Sequence, residues 1–288
     1  MIALVFAAGG MLVLGLRSHQ PSYHGKNLRE WLARLELNGD TDRQAMEAVQ
    51  HIGTNALPML VKMMRSEDSA VKRKLLLVLR QQHLVKIRIM DDTEQHLLGM
   101  VGFSALGSIG QPALPALEPL VWKSNTTRFA TYALAALGDE GLRAATAGLR
   151  STNVTVRRET AGALGGLGVI RFLTNSTPHQ LDRLRSQAEI AIPALIATCD
   201  DPDEIVRARA AIALGLLGHK PDVVVPVLVK LLRDQNGWRV PSAAAKSLGR
   251  FGTNAASAIP ALKEALNNTD RRVSQAADGA LAAVQGKP

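Results

Sequence analysis

Two short motifs recur along the chain in alternation, and this recurrence constrains the fold more than any other feature of the sequence. The first motif is a small or β-branched residue, an aliphatic residue, Pro, any residue and Leu. Its prolines are Pro58, Pro115, Pro193, Pro226 and Pro260. The second motif, Leu-Gly-any-apolar-Gly, ends at Gly110, Gly168, Gly218 and Gly252, with degenerate copies at Gly53 and Gly138. Self-similarity at a period of about 20–50 residues indicates an array of stacked units.

Each unit is predicted to be a pair of helices. Proline is tolerated in the first turn of a helix, so each motif proline predicts the start of a first helix. Polar turns such as residues 200–203 can cap the second helix, which the spacing of apolar residues places at 204–217. The glycine that ends the second motif would then terminate that helix. Internal glycines at positions 107, 165, 215 and 249 each cost about 1 kcal/mol of helix stability relative to Ala, which predicts close packing between neighbouring helices.

These motifs and their spacing resemble HEAT repeats of the short bacterial type, as found in the HEAT-like repeats of phycobilisome lyases. The resemblance covers roughly residues 28–285 and implies an all-α fold, an α-solenoid of about eight HEAT-like helix pairs. An irregular insert interrupts the repeats near residues 169–190. In such a fold the second helices line the concave face, which is the surface that HEAT-repeat proteins offer to partners.

The N-terminal residues form an apolar segment. Residues 1–16 carry no charge, but a membrane-spanning helix needs roughly 20 apolar residues. A signal-anchor helix, a cleaved signal peptide and a longer membrane helix with a late start codon all fit. Basic residues at 17, 26 and 29 favour a cytoplasmic location for the part of the chain that contains them, whereas export is the commonest use of such a segment. We expect residues 1–17 to be a signal or membrane anchor, with the solenoid outside the cytoplasm.

The anchor segment is followed by residues 18–27, a predicted linker, and then by the solenoid over residues 28–288. A lead-in with Tyr23, Gly25-Lys26, Leu28 and Trp31-Leu32 is similar to that of anchored HEAT-repeat proteins of planctomycete and verrucomicrobial type. This likeness rests on about a dozen residues and implies the same tethered arrangement.

Charge and composition limit the classes of function. The formal net charge is +9, which fits either a polyanionic partner or a solvated basic surface. Aromatic residues make up only 3%, which is low for a small-molecule pocket. Cys199 is the single cysteine and is expected to be a buried structural residue. The seven histidines show no metal-ligand spacing, and we predict no cofactor.

Basic residues stand near the start of each second helix. The resemblance to HEAT repeats implies that one arginine of each pair binds a loop Asp of an adjacent unit. The second arginine is then surplus, and surplus residues facing the groove would form a positive stripe suited to nucleic acid or another polyanion. The insert and the turn at Trp238, a potential interface anchor, supply further candidates. The candidate partner-binding residues are Arg73, Arg158, Arg209, Arg272, Trp238, Arg239, Phe172, His179, Arg183 and Arg185.

The sequence therefore favours a non-catalytic scaffold that binds another protein on its concave face. One alternative is a basic groove for nucleic acid or another polyanion, and a second is a lyase-like HEAT enzyme. A HEAT-type di-iron hydroxylase is excluded because that family binds its irons through His-Glu dipeptides, and this sequence contains none. The aromatic residues Trp122, Phe129 and Tyr132 are predicted to lie in the core.

Overall fold

The computed structural model describes residues 20–38, 42–74, 90–173 and 189–286. The chain divides into two compact units, Met1–Leu114 and Pro115–Pro288. The predicted segment 1–17 lies outside the described residues, as does most of the insert near 169–190.

The described part of the first unit begins with a small antiparallel hairpin. Strands β1 (Ser22–Tyr23) and β2 (Lys26–Asn27) pair across a turn in which His24 and Gly25 have positive φ. The indole Nε1 of Trp31 donates a hydrogen bond of 3.1 Å to the carbonyl of Tyr23. The part of the predicted linker that the structure describes is thus an ordered hairpin tied to the first helix.

The described α-helices of the first unit follow the hairpin, and α4 packs against each of the other three. Gly102 shows how tight this contact is, since a Cβ there would lie 2.3 Å from Cδ2 of Leu60. Asp91 and Glu94 form a capping box at the start of α4. Another helix begins at residue 70 and is described as far as residue 74. The four helices are α1 (Leu28–Asn38), α2 (Arg43–Ile52), α3 (Leu57–Met64) and α4 (Asp92–Leu106).

The remaining helices stack as successive pairs. They are α5 (Leu114–Leu117), α6 (Thr127–Ala136), α7 (Asp139–Thr146), α8 (Val154–Leu173), α9 (Glu189–Thr198), α10 (Glu204–Leu217), α11 (Pro221–Leu232), α12 (Arg239–Phe251), α13 (Ile259–Ala265) and α14 (Arg271–Val284). Short 3-10 segments cover Gly53–Ala56, Gly107–Ala113, Glu118–Trp122, Ala147–Arg150 and Gly252–Ala258.

The second helices of successive pairs lie side by side, α8 against α10, α10 against α12, and α12 against α14. Three internal glycines allow this approach. A Cβ on Gly165 would lie 3.0 Å from Cα of Ala213, and one on Gly215 would lie 2.5 Å from Cβ of Ser247. A Cβ on Gly249 would lie 3.1 Å from Cα of Ala280. The all-α solenoid is confirmed, and its predicted close packing has a direct cause.

Several predicted helix boundaries are wrong. Pro226 lies inside α11 because Pro221 already occupies the first turn, and Pro193 lies inside α9, which is helical from Glu189. Gly107, with φ of 57°, ends α4 three residues before Gly110. Helix α8 continues past Gly168 to Leu173. Gly53, Gly138, Gly218 and Gly252 have positive φ at helix boundaries, as predicted.

The core is aliphatic, and two sequence predictions about it have opposite outcomes. Phe129 and Cys199 are buried, and burial raises the pKa of the Cys199 thiol to about 12. Trp122, in contrast, is 50% exposed at the end of a short 3-10 segment. Among the described residues, one helical run, Asp92–Trp122, is apolar and long enough to cross a membrane, and 56% of its most apolar window is buried within the protein.

Candidate binding cleft between inter-helix turns

An arginine near the start of α8 ties two successive turns together. Arg157 donates from Nε to the carboxylate of Asp201 at 2.7 Å, and from a terminal nitrogen to the backbone carbonyl of Ser151 at 2.9 Å. The side chain thus holds its own turn through a carbonyl and the next turn through a carboxylate. We call such a bridge a rung.

A second rung repeats this geometry one unit further along. Arg207 of α10 donates to Asp234 at 2.9 Å and to the backbone carbonyls of Asp201 and Pro202 at 2.9 and 3.1 Å. Both charged side chains are only about a tenth exposed. A guanidinium suits this role because its planar fork can serve carbonyls and a carboxylate at once. These two bridges confirm that one arginine binds a loop Asp of the adjacent unit.

The next junction has no equivalent rung. Buried valines at 156, 206 and 240 each precede a close-packed glycine by nine residues, which fixes the register of the three helices. The residue after each valine is Arg157, Arg207 and Pro241. On the opposite side, Asp201, Asp234 and Asn268 occupy equivalent positions, since each accepts the backbone N–H two residues later. The third junction therefore has Pro241 in place of the arginine and Asn268 in place of the aspartate.

A cleft of about 510 Å³ opens at this junction. It lies between the turn that joins α11 to α12 and the turn that joins α13 to α14. Three carboxylates but only one basic side chain line it. The lining residues are Leu232, Arg233, Asp234, Gln235, Gly237, Trp238, Ala261, Glu264, Ala265, Asn267, Asn268, Thr269 and Asp270.

Trp238 forms a half-buried wall of the cleft. The guanidinium of Arg272 lies 3.8 Å from the ring centroid, and that of Arg239 lies 5.1 Å away, both within cation–π range. Asp270 accepts hydrogen bonds of 2.6 and 3.0 Å from Arg272, and these hold the pKa of that carboxyl at about 2. Three of the predicted site residues are thus brought together around one indole ring.

Two of the second arginines, Arg158 and Arg209, are not surplus, and this corrects the sequence prediction. Arg158 donates to Asp203 at 2.5 and 2.9 Å, and Arg209 donates to Glu159 at 2.9 Å and to the carbonyl of Arg158. The hydrogen bond from Arg158 lowers the pKa of Asp203 to about 2. Asp203 also caps α10 by accepting the N–H of Val206. Arg158 thus binds the turn before α10, and Arg209 binds two residues within α8.

Of the remaining predicted site residues, one lies in the first unit and four have side chains outside the described part of the chain. Arg73 is exposed and belongs to the first unit. The backbone of Phe172 belongs to α8, but its side chain lies outside the described residues, as do His179, Arg183 and Arg185. Within the ranges that the structure describes, no group of three His, Cys, Asp or Glu side chains could hold a metal ion.

Sequence reasoning missed the cleft itself. The signal was present in the sequence. When the second helices are aligned on their buried valines, Pro241 occupies the position that Arg157 and Arg207 hold in the two preceding units. The prediction treated arginine pairs as the informative feature, whereas the informative feature is the unit that lacks the arginine.

Comparison with known proteins bears on the second unit most directly. Residues 192–282 match the family model described as HEAT repeats. No curated protein matches the chain.

Among solved structures, an engineered protein is 22% identical with a TM-score of 0.47, covering 81% of this chain and 98% of its own. Another engineered protein is 18% identical with a TM-score of 0.45, covering 91% and 99%. A designed armadillo repeat protein is 20% identical with a TM-score of 0.43, covering 79% and 99%.

Proposed function

We propose that this chain, which carries HEAT repeats over residues 192–282, is a non-catalytic scaffold that binds another protein through the cleft at Trp238. The observation that carries the proposal is the open junction, where an indole ring and two arginines stand beside a cleft of about 510 Å³. Trp and Arg are the residues most enriched among those that dominate binding energy at protein interfaces.

The surroundings of the cleft support a protein ligand over a polyanion. The arginines at the cleft are already paired with carboxylates, Arg233 with Glu264, Arg239 with Glu204 and Arg272 with Asp270, which disfavours phosphate. Of the arginines expected to form a positive stripe, Arg158, Arg209 and Arg272 already bind carboxylates. A polyanion would have to compete with those ion pairs.

Site-specific photocrosslinking tests the proposal. A photoreactive benzoylphenylalanine would replace Gln235, which is exposed and lines the cleft, or Gln275, which is exposed on α14 and does not line it. We expect an adduct of one defined mass from position 235 in living cells and none from position 275. The protein in the adduct, once purified, should bind the wild-type chain, and Trp238→Ala should weaken this binding at least tenfold, as for an interface anchor. Equal adducts from both positions, or unchanged affinity for Trp238→Ala, would contradict the proposal.

We also propose that residues 1–17 anchor or export the chain and that the repeats lie outside the cytoplasm. The support is the uncharged apolar run at residues 1–16. An alkaline phosphatase fused to the C-terminus should be active in a bacterial host, because that enzyme matures only outside the cytoplasm. An intact but inactive fusion would refute this location. Deleting residues 1–17 provides the matched control, which should abolish the activity.

A further inference from the structure

We infer that the cleft at the third junction binds the side chain of an arginine supplied by the partner polypeptide. The inference rests on the proposed function and names the chemistry of the contact. It is based on the two preceding junctions of the same kind, where the chain itself places the guanidinium of Arg157 or Arg207.

The groups that receive a guanidinium can be identified from the earlier rungs. Arg157 uses the carbonyls of Ser151 and Thr152, and Arg207 uses those of Asp201 and Pro202. The turn motif, in which Ser151, Asp201 and Asp234 each accept the backbone N–H two residues later, makes Asp234 and Gln235 the equivalent residues at the third junction, and both line the cleft. This turn is one residue longer than the one before it, since Arg207 follows Asp201 by six residues and position 241 follows Asp234 by seven. The opposite wall holds Asn268 in place of the carboxylate that completes the first two rungs. A carboxamide oxygen still accepts a hydrogen bond from a guanidinium. The acceptors of a rung therefore remain at this junction, although the chain supplies no arginine at position 241.

The shape of the lining also fits this ligand. Asp234, Glu264 and Asp270 each already pair with an arginine of the chain, so the ligand guanidinium would be received by the backbone carbonyls and Asn268. Leu232, Ala261 and Ala265 supply an apolar floor that could pack the methylene groups of a long side chain. Arginine suits such a site better than lysine because its planar fork presents several donors in fixed directions.

The proposal can be tested with a short peptide. The probe is the capped pentapeptide Gly-Ser-Arg-Ser-Gly, and the matched control replaces arginine with citrulline, its neutral isostere. The readout is the indole N–H resonance of Trp238, one of three in the chain, assigned by its loss in Trp238→Phe. We expect a saturable shift with a dissociation constant of ~1–10 mM, the range for one side chain, and at least tenfold weaker binding of the citrulline peptide.

A variant that rebuilds the missing rung provides the decisive comparison. Pro241→Arg with Asn268→Asp restores both residues of the earlier junctions, and position 241 lies in the first turn of α12, where the proline contributes no backbone donor. This variant should no longer bind the arginine peptide, because its own guanidinium fills the cleft. Pro241→Ala with Asn268→Asp is the matched control, which should bind the peptide at least as tightly as the wild type. The rebuilt variant should also unfold about 2–4 °C above that control.

The outcomes separate this inference from the proposed function. Equal affinity for the arginine and citrulline peptides, or undiminished binding by the rebuilt variant with its fold intact, would overturn the arginine site. In that case an adduct from position 235 would still support the scaffold. Arginine-selective binding that the rebuilt variant loses would support the site, even if position 235 captured no partner and the scaffold proposal failed. Should the rebuilt variant fail to fold, selectivity between the two peptides on the wild-type chain decides alone.

Discussion

The packing of α10 against α12 makes a strong prediction about one glycine. In Gly215→Ala the new Cβ would lie 2.5 Å from both Cβ and Oγ of Ser247 and 2.7 Å from its Cα. The Cα belongs to the backbone of α12, so rotating a side chain cannot relieve the contact. Ser247 Oγ also donates a buried hydrogen bond of 2.8 Å to the carbonyl of Ala211, which a displaced helix would lengthen.

The net effect is the balance of two opposing contributions. Overpacking of a close contact costs about 1–3 kcal/mol, and a contact with backbone belongs in the upper part of that range. Replacing glycine by alanine inside a helix returns about 1 kcal/mol. We therefore expect Gly215→Ala to lower the free energy of unfolding by about 1–2 kcal/mol.

Gly279 provides the matched control within the same repeat array. It is exposed inside α14, and a Cβ there would meet nothing within 4 Å. Gly279→Ala should gain about 0.5–1 kcal/mol of helix stability with no opposing cost. Urea unfolding followed by circular dichroism would measure both variants. If Gly215→Ala were as stable as the wild type, close helix approach would not explain the internal glycines.

The other predictions concern charge and burial. Arg207→Gln should destabilise the chain by about 2–3 kcal/mol because it leaves Asp234 nearly buried without its partner. Arg233→Gln, from an ion pair more than half exposed on both sides, should change stability by less than about 0.5 kcal/mol, and similar urea midpoints for the two variants would refute the rung. The pKa of Asp203 is about 2 in the folded chain against an ordinary value of 3.8, so its charged form contributes stability above about pH 4 and loses it as the pH falls toward 2. Asp203→Asn keeps a capping oxygen and should flatten that part of the stability profile, whereas an unchanged acid dependence would contradict the assignment. Cys199, only 2% exposed with its pKa raised to about 12, should react with a thiol reagent at neutral pH only after urea unfolding, and rapid native labelling would contradict its burial.

The sequence predicted the fold better than it predicted the site. Repeated motifs determine helix pairs because each unit must bury the same face, so the solenoid and its close-packed glycines could be inferred without coordinates. Helix ends were less predictable because neighbouring residues can serve equally well. Gly107 rather than Gly110 ends α4, and Pro221 rather than Pro226 begins α11. The position of Trp122 was missed because its short 3-10 segment has no periodic signature.

The ion pairs show why the site was harder to predict. Counting arginines gave the correct partner class for Arg157 and Arg207 but the wrong role for Arg158 and Arg209. Arg158 binds a second acidic residue of the next turn, and Arg209 binds Glu159 within α8. The cleft arises from the absence of such a bridge at Pro241. A difference of that kind emerges only when the units are compared with one another in register.

The missing rung also has a dynamic consequence. In an array where each pair contacts only its neighbours, the pair α13 and α14 lacks the bridge that joins the turns before it. We expect this pair to open more often than the preceding ones, with amide hydrogens in α14 exchanging faster than those in α10. A ligand arginine that supplied the bridge would slow this exchange. Binding in the cleft could therefore be followed as slower amide exchange in α13 and α14.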